Sequence, residues 1–199
     1  MEEKLKIFSE EELNDRNDGL ILLKNGLDAL EIEFFFMMGI LLGAIRENDF
    51  IKWDWDVELG TFTEKIINRI HEIKDFFSST PISVELVDKS FSNFKINFFY
   101  KDNKYTLWGL YEEKDHLLRG LYLFPKKYFV DLDEINFRGE IYKTPSNPKD
   151  FLTFAYGDWE TVKKTTDKKA YLNEKMFRKQ SYLNKIFNKV KRKIGLRTI

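Results

Sequence analysis

Residues 53–60 read Trp53-Asp54-Trp55-Asp56-Val57-Glu58-Leu59-Gly60. In an extended strand alternate side chains share a face, so this run sets Asp54, Asp56 and Glu58 on one side and Trp53, Trp55, Val57 and Leu59 on the other. Same-face neighbours lie about 7 Å apart. Two unit charges at that distance repel by roughly 0.6 kcal/mol in water and roughly 2.4 kcal/mol at an effective dielectric of 20. A solvated acidic face tolerates this, whereas a partly buried one needs a cation. The chain has no cysteine and only His71 and His116 as imidazoles, so the donor set is hard oxygen and suits Mg²⁺ or Mn²⁺ better than zinc. From the triplet alone, a solvated amphipathic strand and a metal site both stand.

Working outward, the spacing predicts a strand over Ile51–Leu59 and, upstream, a central strand buried on both faces over Phe34-Phe35-Phe36-Met37-Met38. Gly39 ends it, and Ile40 to Arg46 reads as a short helix between two glycines and a polar turn. Amides at the start of such a helix can hold phosphate oxygens, and Arg46 can add a bidentate contact. Further upstream, Ser9 and Glu12 form a capping-box pattern for a helix that carries Leu20, Leu23, Leu27 and Leu30 and runs to about Glu31. Downstream, Thr61 and Glu64 pattern as a second capping box opening a helix through Ile66, Ile67, Ile70, Ile73 and Phe77.

β-like runs follow over 82–87, 91–100, 105–111, 117–124 and 135–142, with turns at Asp102-Asn103 and Arg138-Gly139. A helix over 149–156 stops at Gly157, and helical character resumes from about Lys168. This order implies a mixed α/β (α+β) fold, a mixed sheet flanked by helices. It also implies a catalytic unit over residues 1–160 and a helical, basic extension over 161–199.

The segment Gly39-Ile40-Leu41-Leu42-Gly43-Ala44-Ile45-Arg46, then Asp49-Phe50-Ile51, then Trp53-Asp54-x-Asp56-Val57-Glu58, resembles the LicD/fukutin-related family of the nucleotidyltransferase-fold superfamily. Tyr156-Gly157-Asp158-Trp159 resembles a second motif of that family, in the expected order. The resemblance implies Asp54 and Asp56 as Mg²⁺ (or Mn²⁺) ligands, Glu58 as a third catalytic carboxylate, and Gly39, Gly43 and Arg46 shaping a phosphate site. It implies transfer of a phospho-alcohol group, such as phosphocholine, from a CDP-activated donor to a hydroxyl of a glycan or lipid-linked glycan precursor of capsule, lipopolysaccharide or teichoic acid. Alternatives are nucleotidyl transfer to a small acceptor, or a catalytically degenerate nucleotide- or glycan-binding member.

The sequence departs from the family pattern in places. Ile40 replaces the usual hydroxyl residue, Glu58 is longer than aspartate, and Trp55 stands where an acid is frequent. The stretch 94–100 reads as the strand that supplies a further carboxylate in this superfamily, with neutral Asn97 at that position; Glu58 or Asp131 would then take its role.

Composition bounds the rest. Across 199 residues, 33 Lys and Arg balance 33 Asp and Glu, which gives no reason to expect nucleic acid as a partner. The absence of cysteine fits a reducing compartment, and the acidic N-terminus lacks signal-peptide order. The expected location is therefore cytoplasmic. The basic, apolar-interleaved stretch over residues 185–197 reads as a solvated helix end or as a peripheral contact with the inner face of the membrane. Asp158 is a candidate for the acceptor wall, and Trp53, Trp55, Trp108 and Trp159 are candidates for a quaternary-ammonium cage or for the core. His71 and His116 have no pattern for catalysis or metal.

Overall fold

The computed structural model describes residues 6–165 and 167–178. The first helix, α1 (Glu10–Ala29), begins where Ser9 Oγ accepts from Glu12 N at 3.2 Å and Glu12 Oε2 accepts from Ser9 N at 2.8 Å, a complete capping box. It ends in a Schellman turn, with Ile32 N bonded to Leu27 O, Glu31 N to Asp28 O, and Glu31 in the left-handed region. Leu13, Leu20, Leu23 and Leu27 are buried on its inner face.

A seven-stranded sheet forms the centre, with path β1 (Phe35–Phe36), β2 (Val57–Phe62), β5 (Asn103–Glu113), β4 (Lys95–Tyr100), β3 (Ser83–Asp88). β2 runs parallel to β5 and the other pairs are antiparallel. The far half of β5 pairs with β6 (His116–Arg119), which pairs with β7 (Tyr122–Pro125). A separate hairpin, β8 (Asp133–Phe137) and β9 (Glu140–Thr144), turns at Arg138-Gly139 as expected. The remaining helices are α2 (Met38–Arg46), α3 (Thr63–Ile66), α4 (Ile70–Phe77), α5 (Pro148–Tyr156) and α6 (Lys168–Tyr171).

Several expectations change. The 34–38 run is buried, yet only Phe35–Phe36 are strand, and they lie at the sheet edge rather than its centre. The β8–β9 hairpin covers that edge: Phe36 stacks on Tyr142 at 4.5 Å and meets Phe137 edge-on at 5.4 Å. The expected 51–59 strand begins only at Val57, because residues 51–56 form a turn closed by Asp54 N to Ile51 O at 3.0 Å. Thr61 caps nothing; it lies in β2 and its hydroxyl donates to Glu33 O. The expected long helix is broken into α3 and α4 around residues 67–69.

The 117–124 run folds back as β6 and β7, and the 101–102 turn falls one residue earlier than read. Beyond α5, α6 and a 3₁₀ turn (Glu174–Met176) return to the body, and Leu172 and Met176 join the single buried cluster. The basic stretch 185–197 lies outside the described residues. Among the described residues, no helix is long and apolar enough to cross a membrane.

Because the covered edge depends on one ring, Phe36→Ala is expected to cost about 3–5 kcal/mol. Thermal unfolding followed by circular dichroism should then show a melting temperature lower by about 10 °C.

Candidate functional site

Asp54, Asp56 and Glu58 converge on one open cleft, together with Gly39, Arg46, Trp53, Trp55 and Asp158. Strand alternation does not bring them there. Asp54 and Asp56 sit in the turn before β2, and Trp53 and Trp55 line the same cleft rather than the opposite face.

The turn is held from behind by Arg16 of α1, only 1% exposed. Its Nη1 donates to Asp54 O at 2.8 Å and its Nε to Asn103 Oδ1 at 3.1 Å, with the guanidinium 4.2 Å over the Phe8 ring. Tyr105 Oη donates to Arg16 O at 2.7 Å. Sequence reading missed Arg16, although the signal is present: residues 13, 16, 20, 23 and 27 form one helical stripe, and Arg16 is its charged member.

Gly39 and Gly43 act through close approach. A Cβ at Gly39 would overlap Asp54 Oδ2, and Gly39 N faces Glu58 Oε2 at 3.4 Å. The first turn of α2 is therefore pressed against the carboxylates. A Cβ at Gly43 would lie 2.5 Å from Asp49 O, so this glycine lets the 49–51 chain cross α2, and it does not line the cleft. Asp49 is held by Arg138 through two bonds, Nε to Oδ1 at 2.6 Å and Nη2 to Oδ2 at 3.0 Å. Arg46 does line the cleft, but its Nη1 donates to Trp159 O at 3.2 Å and its Nη2 to Glu47 Oε1 at 2.6 Å. It anchors the Tyr156–Trp159 segment over the opening. Asp158 accepts from Thr161 N at 3.3 Å at the rim.

The strand beside β2 is β5, not the 94–100 run, so the residue abreast of Glu58 is Thr106. Asn97 lies one strand farther, buried and outside the cleft; its Oδ1 faces Thr106 Oγ1 at 3.1 Å and its Nδ2 donates to Glu85 Oε2 at 3.3 Å. The one Thr106 hydroxyl proton is shared between Asn97 and Asp56 Oδ2, the latter at 3.3 Å. Lys104 Nζ is 3.3 Å from Asp56 Oδ2, a cation that sequence reading did not place here. Asp131 lines a different pocket with Glu33 and Lys65, which removes it as a substitute carboxylate. Of the four tryptophans, Trp108 leaves the proposed cage, since it is buried on the sheet and stacked on Tyr122.

Burial, and then the charge of Asp56, push the Asp54 carboxyl up to about 7 against the pull of Arg16. Asp54, unlike Asp56 with its Lys104 partner, has no direct ion pair among the described residues. Among the described residues no group of three or more His, Cys, Asp or Glu is placed to hold a metal, so the protein would offer two carboxylate ligands, Asp54 and Asp56. Such a donor set fits Mg²⁺, which keeps waters and substrate phosphate oxygens in its remaining positions.

A family model described as LicD/FKTN/FKRP, nucleotidyltransferase domain, matches residues 31–147. Ribitol 5-phosphate transferase FKRP of Mus musculus is 24% identical over 143 residues, and that of Homo sapiens is 24% identical over 145. Each alignment covers 66% of this chain but 29% of the relative, so the chain spans under a third of their length. Among solved structures, the lincomycin-bound lincosamide antibiotic adenylyltransferase LnuA overlaps with TM-score 0.46 at 8% identity, over 73% of this chain and 85% of that one. ANT(2")-Ia in complex with adenylyl-2"-tobramycin overlaps with TM-score 0.45 at 14% identity, over 65% and 70%.

Burial alone would raise the Asp49 carboxyl, but the Arg138 guanidinium and Phe50 N outweigh it and hold its pKa below the usual range. A depressed carboxylate stabilises above its unfolded pKa and loses that contribution as pH falls through the folded one. Asp49→Asn is therefore expected to cost about 1 kcal/mol at pH 7, after discounting for partial exposure. Urea unfolding at pH 7 and at pH 3 should show the difference from wild type shrinking towards zero at the lower pH.

Proposed function

The chain belongs to the LicD/FKTN/FKRP family, and on that premise we propose that it is a Mg²⁺-dependent phosphotransferase moving a phospho-alcohol group from a CDP-activated donor to a hydroxyl of a glycan precursor. The observation that carries this reading is the convergence of Asp54, Asp56 and Glu58 on one cleft, with Gly39 pressed against Asp54. When bound to Asp54 and Asp56, Mg²⁺ would offset charge on the phosphoryl oxygens. The rest of the chemistry is positioning.

The acceptor hydroxyl oxygen forms a P–O bond to the alcohol-bearing phosphorus of the donor. The bridging P–O bond breaks, its electron pair leaves with CMP, and the hydroxyl proton passes to Glu58. Arg16 keeps the Asp54–Asp56 turn in place from behind, and Arg46 holds the Trp159 segment that helps wall the cleft.

Among donor alcohols a neutral polyol suits the cleft better than choline. Lys104 Nζ already lies 3.9 Å over the Trp55 ring, and Lys164 Nζ 5.2 Å over Trp53, so a quaternary ammonium would meet like charge at the aromatic faces it needs. The two FKRP relatives are named for ribitol 5-phosphate, also a polyol phosphate. We propose a cytoplasmic location, in keeping with the absence of cysteine.

The test is calorimetric titration of CDP-ribitol, CDP-glycerol, CDP-choline, CTP and ATP with Mg²⁺ into wild type and into folded Asp54→Ala, Asp56→Ala and Gly39→Ala proteins. The expected result is Mg²⁺-dependent binding of CDP-polyols, at least fivefold tighter than CDP-choline and lost in all three variants, with CMP released on turnover. Gly39→Ala should keep its fold, because the added methyl meets only the far end of the Asp54 side chain. No nucleotide binding by folded wild type, or pyrophosphate as the product, would overturn the reading.

A further inference from the structure

Beside the cleft, one face of the sheet carries charged side chains over a buried floor of Thr106, Asn97 and Trp108. Register places Glu58, Thr106, Asn97 and Glu85 in one row across β2, β5, β4 and β3, with Lys95 abreast of Trp108 in the next row. Lys104 points to the same face two residues before Thr106 and reaches Asp56. Arg119 of β6 lies over the Trp108 ring at 4.5 Å, so Arg119 and Lys95 flank Trp108 on one side of the Glu58 row, while Lys104 lies on the other side over Trp55. Lys95 and Arg119 lie outside the cleft, and Lys104 meets its edge at Trp55 and Asp56.

Two of these cations have no direct ion pair. Arg119 Nε is buried with no hydrogen-bond partner, and neither Lys95 nor Arg119 forms an ion pair among the described residues. Burial and then the neighbouring Lys104 and Arg119 charges push the Lys95 amine down against Asp56 and Glu58, and burial pushes the Arg119 guanidinium down against Tyr122, Glu58 and Asp88. Guanidinium and ammonium groups taken out of water without a direct ion pair are costly, and a phosphate ligand would supply paired negative charge.

In-line displacement brings the nucleophile from the side opposite the leaving group. With the CMP leaving group directed into the cleft, an in-line acceptor would approach from the sheet side. A residue two strands over and one pair along from Glu58 lies roughly 12 Å away at the backbone. A lysine side chain spans much of that gap, leaving room for one phosphorylated sugar or polyol unit between the amine and the carboxylates.

We propose that Lys95, Lys104 and Arg119 form an anion subsite on the sheet face that binds a phosphate group carried by the acceptor. The assignment to the acceptor rests on the donor reading above, whereas the presence of the subsite does not. Glycerol 3-phosphate and glycerol, as probes, should be titrated into the metal-free full chain and followed by NMR, in wild type, Lys95→Ala, Lys95→Met, Arg119→Gln and the remote control Lys127→Ala. A second series repeats the glycerol 3-phosphate titration in saturating CMP with Mg²⁺.

Saturable binding of glycerol 3-phosphate but not of glycerol is expected, weakened at least fivefold by each Lys95 and Arg119 variant, unchanged in Lys127→Ala and still present with CMP. Equal affinity in either folded Lys95 variant would overturn the subsite, as would no saturable binding, and displacement by CMP would overturn its assignment to the acceptor. Lys95→Met keeps the apolar stem, so the titration stays decisive even if Lys95→Ala or Arg119→Gln fails to fold. Failure of the donor reading has a separate signature, the absence of CMP binding, which leaves the first series readable.

Discussion

A guanidinium buried in the packing face of a helix governs how this molecule presents its acids. Arg16 takes a position where the apolar stripe of α1 would otherwise carry a leucine, and Asp54 O, Asn103 Oδ1 and the Phe8 ring offset part of its desolvation while Nη2 stays buried without a partner among the described residues. By capturing the Asp54 carbonyl it keeps residues 51–56 out of the β-ladder. Two adjacent acids that would otherwise alternate along a strand then turn into the cleft together with both neighbouring tryptophans. A lysine could not hold the Asp54 carbonyl and the Asn103 side chain at once in this fork geometry.

A second set of constraints presses α2 onto that turn. Gly39 lets the helix start meet Asp54, and Gly43 lets the Asp49 backbone cross beneath it. The Arg138–Asp49 pair then links this crossing to the β8–β9 hairpin, and Arg138 also reaches Asn14 of α1 at 3.1 Å. The same hairpin covers the exposed edge of β1 with Phe137 and Tyr142. Edge protection and site geometry thus share one element, because a two-residue strand has too few ladder bonds to stand uncovered.

The resulting electrostatics are polarised across a short distance. Among the described residues, Asp54 faces the cleft without a direct ion pair, Lys95 and Arg119 stand on the sheet without one, and Lys104 pairs with Asp56 between them. Such an arrangement stores unfavourable desolvation at one place in the fold, which is where substrates bearing phosphate would relieve it. Most of the interior, by contrast, is one aromatic-rich cluster from Leu13 to Met176.

Sequence alone determined the family through Gly39–Arg46 and Asp54–Glu58, because those motifs are contiguous stretches whose residue types can be read before their tertiary contacts are known. It determined α1 through its capping box and the hairpin at Arg138-Gly139 through its turn chemistry, and it nominated Asp54, Asp56 and Glu58 for one surface. The tertiary structure decided how they meet there: by a turn held by Arg16, not by strand alternation. It also decided that β5 and not β4 flanks β2, so that Thr106 and Lys104, not Asn97, stand nearest the acids. The physical reason is that a parallel β2–β5 pairing joins residues nearly fifty positions apart. Nothing in the local pattern of either strand specifies that partner, which is chosen by the packing of α1, α4 and the covered edge together.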